Sequence, residues 1–308
     1  MWVIFKISPG GTLTTLHTFE GADGADPYAG LVQGTNGEFY GTTVFGGGAN
    51  CTDGCGTIFV ISPGGALTTL YNFEGAEDGA NPYAGIVQAI NGDFYGATFA
   101  GGANGGGTVF KITPGGTLTT LYNFCLQSGC PDGSGPYAGL VQATNGDFYG
   151  TTEYGGASNV GTVFEITPSG GPTTLYSFCS ESGCADGADP LAVLIQDTNG
   201  SFYGTTYNGG PPECAGGCGT VFSLSAGLGP FVKTLPTFGK VGAAVDILGT
   251  NLTGATSVTF NGTAAVFAVN SSGTAISTAV PVGATSGAVQ VVTPGGTLSS
   301  NVLFRVLP

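Results

Sequence analysis

The sequence predicts an all-β chain: a β-propeller-like array of four repeats of about 54 residues, followed by an Ig-like β-sandwich. Three observations carry this. Asn-Gly recurs at Asn36, Asn91, Asn145 and Asn199, with spacings of 55, 54 and 54. So regular a period means one supersecondary unit copied in tandem, each copy burying its apolar face only against its neighbours. The 59 glycines sit at fixed points of the repeat and 41% of the chain is hydrophobic, which reads as turn-rich β structure and not as disorder. Apolar stripes of helical period never exceed a turn or two.

Within each copy four strands follow in order. The segments AGLVQATNG and DFYGTT meet at Asn-Gly, a signal for a hairpin with a type I′ turn. GTVFKITP and TLTTLYNF then meet at Pro-Gly-Gly, a second turn. Four antiparallel strands in about fifty residues is the size of a propeller blade. Leu118, Tyr122 and Phe124 lie opposite Leu121, so both faces are apolar, as a sheet wedged between two others requires. The count is uneven: four such hairpins meet five GTVF-like strands and four LTTL-like ones. Joining the N-terminal strands to the last hairpin would close a four-bladed ring and leave one GTVF-like strand over. Open edges could instead pair between subunits.

The repeat language stops near Gly229, which divides the chain into a repeat domain, 1–228, and a smaller domain, 229–308. Charge divides there too. Residues 1–229 carry 18 acids against Lys6 and Lys111, whereas the remainder holds Asp246 against Lys233, Lys240 and Arg305. So acidic a surface repels phosphate backbones, which excludes nucleic acid as a partner. With no run of about twenty apolar residues, no helical membrane span is predicted.

Eight cysteines form four close pairs: Cys51/Cys55, Cys125/Cys130, Cys179/Cys184 and Cys214/Cys218. Pairs recurring in equivalent loops predict local disulfides, whereas zinc would need clustered thiolates or imidazoles and His17 is the only histidine. Disulfides imply an oxidising compartment. Residues Met1–Pro9 align with the later GTIFVISP and GTVFKITP, so they read as a repeat strand and not as an export leader.

Two resemblances follow from these segments. Residues 2–225 resemble the GloVer tandem repeats of bacterial choice-of-anchor surface proteins, through GTVFKITPGGTLTTLYNF and NGDFYGTT. Residues 230–308 resemble an IPT/TIG domain, through GTNL at 249–252, VTFNGT at 258–263, VP at 280–281 and VVTPGG at 291–296. The resemblance implies a secreted or cell-surface protein and no particular chemistry.

Candidate functional residues fall into three sets. The acidic turn carries Asp23 and Asp26, Asp78 and Asn81, Asp132, then Asp186 and Asp189. Oxygen donors three apart could ligate calcium, or simply form Asx turns ahead of a proline. Copy three has Gly135 at the second position. For carboxylate acid–base catalysis the candidates are Glu153 and Glu165, which stand where sibling copies are mostly apolar or basic. The third set is aromatic. Tyr40, Tyr95, Tyr149 and Tyr203 recur in FYG, and Tyr28, Tyr83 and Tyr137 recur in PYAG, where Leu191 breaks the series. A set facing one rim would form a surface for stacking on sugars, and the alternative is packing between sheets. His17 aligns with Tyr71, Tyr122 and Tyr176, so it reads as an aromatic-like packing residue. The expected function is extracellular binding or a structural surface role, with a glycan or another surface protein as partner. The alternatives are a carbohydrate-active enzyme and self-assembly through edge strands.

Overall fold

The computed structural model describes residues 2–48, 50–211 and 217–308, whose regular elements are almost all antiparallel strands joined by turns. In the repeat region, β1 (Val3–Ile7) and β2 (Leu13–Thr18) form a two-stranded sheet. Three four-stranded sheets follow, each in chain order. The first holds β3 (Val32–Gln33), β4 (Phe39–Thr43), β5 (Thr57–Ile61) and β6 (Leu67–Asn72). The second holds β7 (Val87–Gln88), β8 (Phe94–Thr98), β9 (Thr108–Ile112) and β10 (Leu118–Asn123). The third holds β11 (Val141–Gln142), β12 (Phe148–Thr152), β13 (Thr162–Thr167) and β14 (Gly170–Ser177). A last sheet has three strands, β15 (Ile195–Gln196), β16 (Phe202–Thr205) and β17 (Val221–Leu224). The architecture is all-β and propeller-like, a run of small antiparallel sheets.

Three sequence expectations change. The fourth repeat is a three-stranded sheet among the described residues, and β1 and β2 pair with each other and not with β16, so the ring closure expected from strand exchange is not made. The Asn-Gly hairpins are not type I′. Gly37 N–H bonds to Gly34 C=O (2.9 Å) and Gly37 has φ 90°, while Asn36 is not left-handed. That pattern is a type I turn followed by a left-handed glycine, the longer hairpin loop. Finally, β3, β7, β11 and β15 are each two residues long, so most of each AGLVQ-type segment lies outside the ladder.

Packing between sheets explains the repeat's apolar spelling. Ile4 and Phe19 pack on Phe59 and Ile61 of the next sheet. Ile58 and Phe73 pack with Phe94, Phe110 and Ile112, and Val109 and Phe124 with Phe148, Phe164 and Ile166. The phenylalanine that closes each outer strand meets the GT(I/V)F phenylalanine of the following sheet edge-to-face. The pairs Phe19–Phe59, Phe73–Phe110, Phe124–Phe164 and Phe178–Phe222 have ring centroids 5.3, 5.3, 5.1 and 5.0 Å apart. Each ring buried this way contributes about 1.5–3 kcal/mol. The glycine of FYG leaves room for that ring: a Cβ on Gly41 would lie 2.6 Å from Phe59 Cζ.

The chain divides into two compact units. One comprises Met1–Gln142, Gly146–Ile195 and Gly204–Phe222; the other comprises Ala143–Asn145, Gln196–Tyr203 and Ser223–Pro308. The division thus falls a few residues before the Gly229 join, inside β17. In the second unit, β18 (Val232–Leu235), β20 (Ala244–Gly249), β24 (Ala275–Ala279) and β23 (Phe267–Val269) form one sheet in that order. The opposing sheet runs β22 (Thr263–Ala264), β21 (Ser257–Phe260), β25 (Val289–Thr293) and β26 (Gly296–Ser299). Strands β19 (Phe238–Lys240) and β27 (Arg305–Leu307) pair in parallel. Alternate residues of facing strands, including Val245, Ile247, Val258, Phe260, Ile276, Val289 and Val291, form one shared core, the signature of a sandwich.

Candidate functional site

The most distinctive surface of the repeat unit is assembled by the acidic turn and the PYAG segment after it. In every copy the first aspartate fastens the turn to the outer strand. His17 Nε2 lies 2.7 Å from Asp23 Oδ2, while the hydroxyls of Tyr71, Tyr122 and Tyr176 donate to Asp78, Asp132 and Asp186 at 3.0, 2.8 and 2.7 Å. The same carboxylates accept from the backbone N–H groups of Glu20, Glu74, Leu126 and Ser180. Burial pushes the Asp23 and Asp186 carboxyls up, but these donated bonds prevail and hold both below the ordinary aspartate value. His17 stands in the tyrosine's place, edge-on to Phe19 at 5.1 Å as Tyr71 is to Phe73 at 5.4 Å.

The next residue must be glycine. A Cβ on Gly133 would fall 2.5 Å from Thr152 Oγ1 and 2.8 Å from Thr162 Oγ1. Those two hydroxyls are hydrogen-bonded to each other at 2.8 Å, as are Thr43–Thr57, Thr98–Thr108 and Thr206–Thr220 in their own copies. The turn's last residue is left-handed: Asp26, Asn81, Gly135 and Asp189 have φ of 58°, 57°, 64° and 54°. Asp, Asn and Gly tolerate that region best, which is why copy three can use Gly135. The acidic turn is therefore a structural latch. Of the residues weighed as calcium ligands or as turn residues, Asp23, Asp78 and Asp186 hold hydroxyls, amides or the His17 ring, and Asp189 Oδ2 accepts from Asn208, which is the turn reading of these positions. Among the described residues, no group of three or more His, Cys, Asp or Glu is placed to hold a metal.

The latch also sets two residues side by side. The C=O groups of Asp26, Asn81, Gly135 and Asp189 accept from the N–H groups of Val44, Phe99, Glu153 and Tyr207, the residues after Thr-Thr (Ala-Thr in the second copy). Pro-Tyr-Ala-Gly follows, and these segments approach one another closely: Gly30 C=O lies 3.1 Å from where a Gly85 side chain would begin. Tyr28, Tyr83 and Tyr137 converge at centroid distances of 5.9, 6.3 and 4.7 Å, and Tyr83 stacks on Tyr137. Phe99 lies edge-on to both stacked rings, and Tyr154 lies edge-on to Phe99 at 6.3 Å. Tyr28 is 63% exposed and Tyr154 42% exposed, so the cluster is open to solvent. A hydrogen bond between Tyr137 and Tyr28 pushes Tyr137 up to about 12. The Glu153 carboxylate does the same to Tyr154, also to about 12. The arrangement is an aromatic floor with phenolic hydroxyls and one carboxylate at its edge.

The FYG tyrosines lie elsewhere. Tyr40, Tyr95 and Tyr149 are all but fully buried; Tyr40 lies tilted over Phe94 and Tyr95 stacks on Phe148, each at 4.1 Å. They pack between sheets and present no ring face to a ligand, which overturns the binding role expected of them. Tyr203 alone of that series is partly exposed, at 39%. Of the two candidate acids, Glu153 joins the aromatic cluster. Glu165 faces a different neighbour set: Tyr149 hydroxyl donates to it at 2.6 Å, and it bonds to Asp147, whose carboxyl burial and Glu165 together push up. Carboxylates in direct contact leave no room for a sugar between them, so the Glu165 pair does not have glycosidase spacing.

Disulfides Cys51–Cys55, Cys125–Cys130 and Cys179–Cys184 form as paired in the sequence. For the fourth expected pair, Cys218 is disulfide-bonded, while Cys214, the partner that the spacing assigns to it, lies outside the described residues. The Cys214–Cys218 bridge therefore stays an expectation of the sequence, and three bridges are seen with both cysteines in place. The two loop positions of these three turn out to be one place. Cys51 and Cys55 Sγ lie 3.0 and 3.1 Å from where a side chain on Gly75 would begin, and Cys125 Cβ lies 2.7 Å from the corresponding point of Gly106. Such a corner between neighbouring sheets thus holds one bridge, supplied by either of its two loops. Such bridges fit an oxidising, extracellular environment. No helix among the described residues is long and apolar enough to cross a membrane.

A propeller-like repeat protein with an aromatic inner cluster and disulfide-pinned corners is the class these features define. The chain belongs to the Gloeobacter/Verrucomicrobia repeat family, which it matches over residues 3–211 and 132–276. No curated protein matches it significantly. Among solved structures it is loosely similar to a putative gluconolactonase (15% identity, TM-score 0.41, 89% of this chain and 80% of the other). A second is the extracellular domain of a putative hybrid two-component system from B. thetaiotaomicron (11%, TM-score 0.43, 99% and 41%). A third is a GH43 β-1,3-galactosidase (9%, TM-score 0.37, 96% and 61%).

Proposed function

We propose that the repeat unit is an extracellular glycan-binding module, with Tyr28, Tyr83, Tyr137 and Phe99 as the stacking floor and Glu153 as a hydrogen-bond acceptor for sugar hydroxyls. The observation that supports it is the convergence of three tyrosines from three repeats into one open cluster beside a carboxylate. Aromatic faces bind the apolar faces of sugars, and rings already packed together lose little freedom on binding. The C-terminal sandwich, which carries the IPT/TIG-like segments, would serve as a spacer or docking module in this reading. The test is a glycan-array screen coupled to an assay for released reducing ends. Binding without release, lost in Tyr83→Ala, is the expected result. Turnover would transfer the site to the enzyme reading, and a Tyr83→Ala protein that binds normally would remove the aromatic floor from it.

A further inference from the structure

The third copy departs from its siblings at three positions that meet in space. Its latched turn ends in Gly135, where the other copies have Asp26, Asn81 and Asp189. The residue bonded back to that turn is Glu153, against Val44, Phe99 and Tyr207, and the next is Tyr154, against Phe45, Ala100 and Asn208. Glu153 N–H donates to Gly135 C=O at 2.9 Å, and Ser134 and Tyr154 exchange two backbone hydrogen bonds of 2.9 Å, which fixes the three together. A Cβ on Gly135 would lie 3.0 Å from Phe99 Cε2 and 3.3 Å from Tyr154 Cδ2, so an aspartate or asparagine there would press on both rings. Losing the turn side chain thus extends the aromatic floor from Tyr83 and Tyr137 through Phe99 to Tyr154.

The same changes set negative charge on that floor. The Tyr154 hydroxyl is hydrogen-bonded to the Glu153 carboxylate, and Asp189 of the fourth copy acts on it as a second negative charge. Among the described residues the one ion pair is His17 with Asp23, so neither carboxylate has a cation beside it. Phe99, Glu153, Tyr154 and Asp189 come from the second to fourth copies, away from either end of the chain. A positive charge placed there meets aromatic rings and carboxylates at once, and both attract it. An anionic sugar is repelled by the same carboxylates. The wider field has the same sign, since residues 1–229 carry 18 acids against two bases.

We infer that the glycan taken by this cluster is cationic: an oligosaccharide bearing free primary amines, such as a deacetylated amino-sugar chain, with an ammonium group held by Tyr154, Phe99 and the Glu153 carboxylate. This rests on the glycan-binding reading above and names its ligand class. Tyr28, Tyr83 and Tyr137 receive the sugar rings as before, and the third copy supplies the charge selection. An N-acetylated chain offers the same sugar rings without the charge, and is therefore the matched comparison.

The experiment is titration calorimetry of the full chain with a glucosamine hexamer, an N-acetylglucosamine hexamer and a galacturonate hexamer. It is run at about pH 6, where the amines are protonated and the carboxylates ionised. The glucosamine hexamer should bind about tenfold tighter than its acetylated counterpart, less so in added salt, and the galacturonate hexamer should not bind. Glu153→Gln keeps the shape and removes the charge, so it should erase the tenfold preference. Glu77→Gln, at an exposed position outside the cluster, should keep it. An acetylated hexamer that binds as tightly as the amine form overturns the inference and leaves the glycan reading standing. Binding of none of the three overturns both. A preference that survives Glu153→Gln, or falls equally in Glu77→Gln, is diffuse attraction to an acidic surface and overturns the site. Hexalysine that displaces the glucosamine hexamer at equal concentration makes the ligand a basic peptide and overturns its assignment to a glycan. Circular dichroism melts of both variants, expected to match wild type, exclude misfolding as the cause.

Discussion

The two tyrosine series of this repeat begin from the same side chain and end in opposite places. Tyr40, Tyr95 and Tyr149 follow a phenylalanine in the second strand, where alternation turns them toward the next sheet, and a phenylalanine there covers Tyr40 and Tyr95. Tyr28, Tyr83 and Tyr137 follow the proline of a latched turn, and their rings converge on one another. Repetition makes both series equally conspicuous in the sequence. Recurrence within a chain therefore marks a place in the repeating geometry, and whether that place is an interface or a surface depends on what lies across from it.

The largest effect that would break this contrast is Tyr95→Ala. Emptying a sealed interface position should cost about 3–5 kcal/mol, read as a shifted urea midpoint. A loss below about 1 kcal/mol would mean the site collapses freely and the series is not the structural one. Next comes Asp132→Ala, which strips acceptors from Tyr122 and the Leu126 amide and should cost about 1–3 kcal/mol. Since that latch leads directly into Tyr137, glycan binding should weaken as well. The related pH test uses Asp23 and Asp186, whose folded values lie below the ordinary 3.8. Their stabilisation is complete above that value and is lost as pH falls through the folded pKa, so Tm should drop below about pH 4. An unchanged Tm there would deny the latch its role.

Tyr83→Ala sharpens the contrast from the other side. It removes one stacked pair, about 0.5–1.5 kcal/mol, yet should abolish glycan binding. Smallest of all is a spectroscopic effect. Tyr137 and Tyr154 titrate near pH 12, so the stability they confer is full below about 10 and lost as pH rises through 12. Ultraviolet titration of Glu153→Gln should move one tyrosine back toward 10, because the neighbouring carboxylate is gone. If the late fraction is unchanged, Glu153 does not belong to the cluster.

Much of this was legible in advance. The period, the strand pairs, the three local disulfides and the packing role of His17 each follow from rules that act over a few residues. The site was half legible: PYAG and Glu153 stood out, but Phe99 did not, because its sibling Val44 is buried and the shared position after Thr-Thr had no visible link to PYAG. That link is a backbone hydrogen bond across the turn, from Phe99 N–H to Asn81 C=O, which side-chain patterns do not record. The Asp-Gly turn left two readings open for a related reason, since a carboxylate that accepts from a tyrosine and one that binds calcium are spelled alike.

By itself the sequence determined the all-β unit and its period, because alternation, glycine turns and cysteine spacing are local and repeat with the chain. Only the tertiary structure decided which tyrosines are sealed and which are offered. It also decided that β1–β2 and the last hairpin do not join. Those outcomes rest on what stands opposite each face, and a repeat gives every copy the same face whether or not a neighbour is there to cover it.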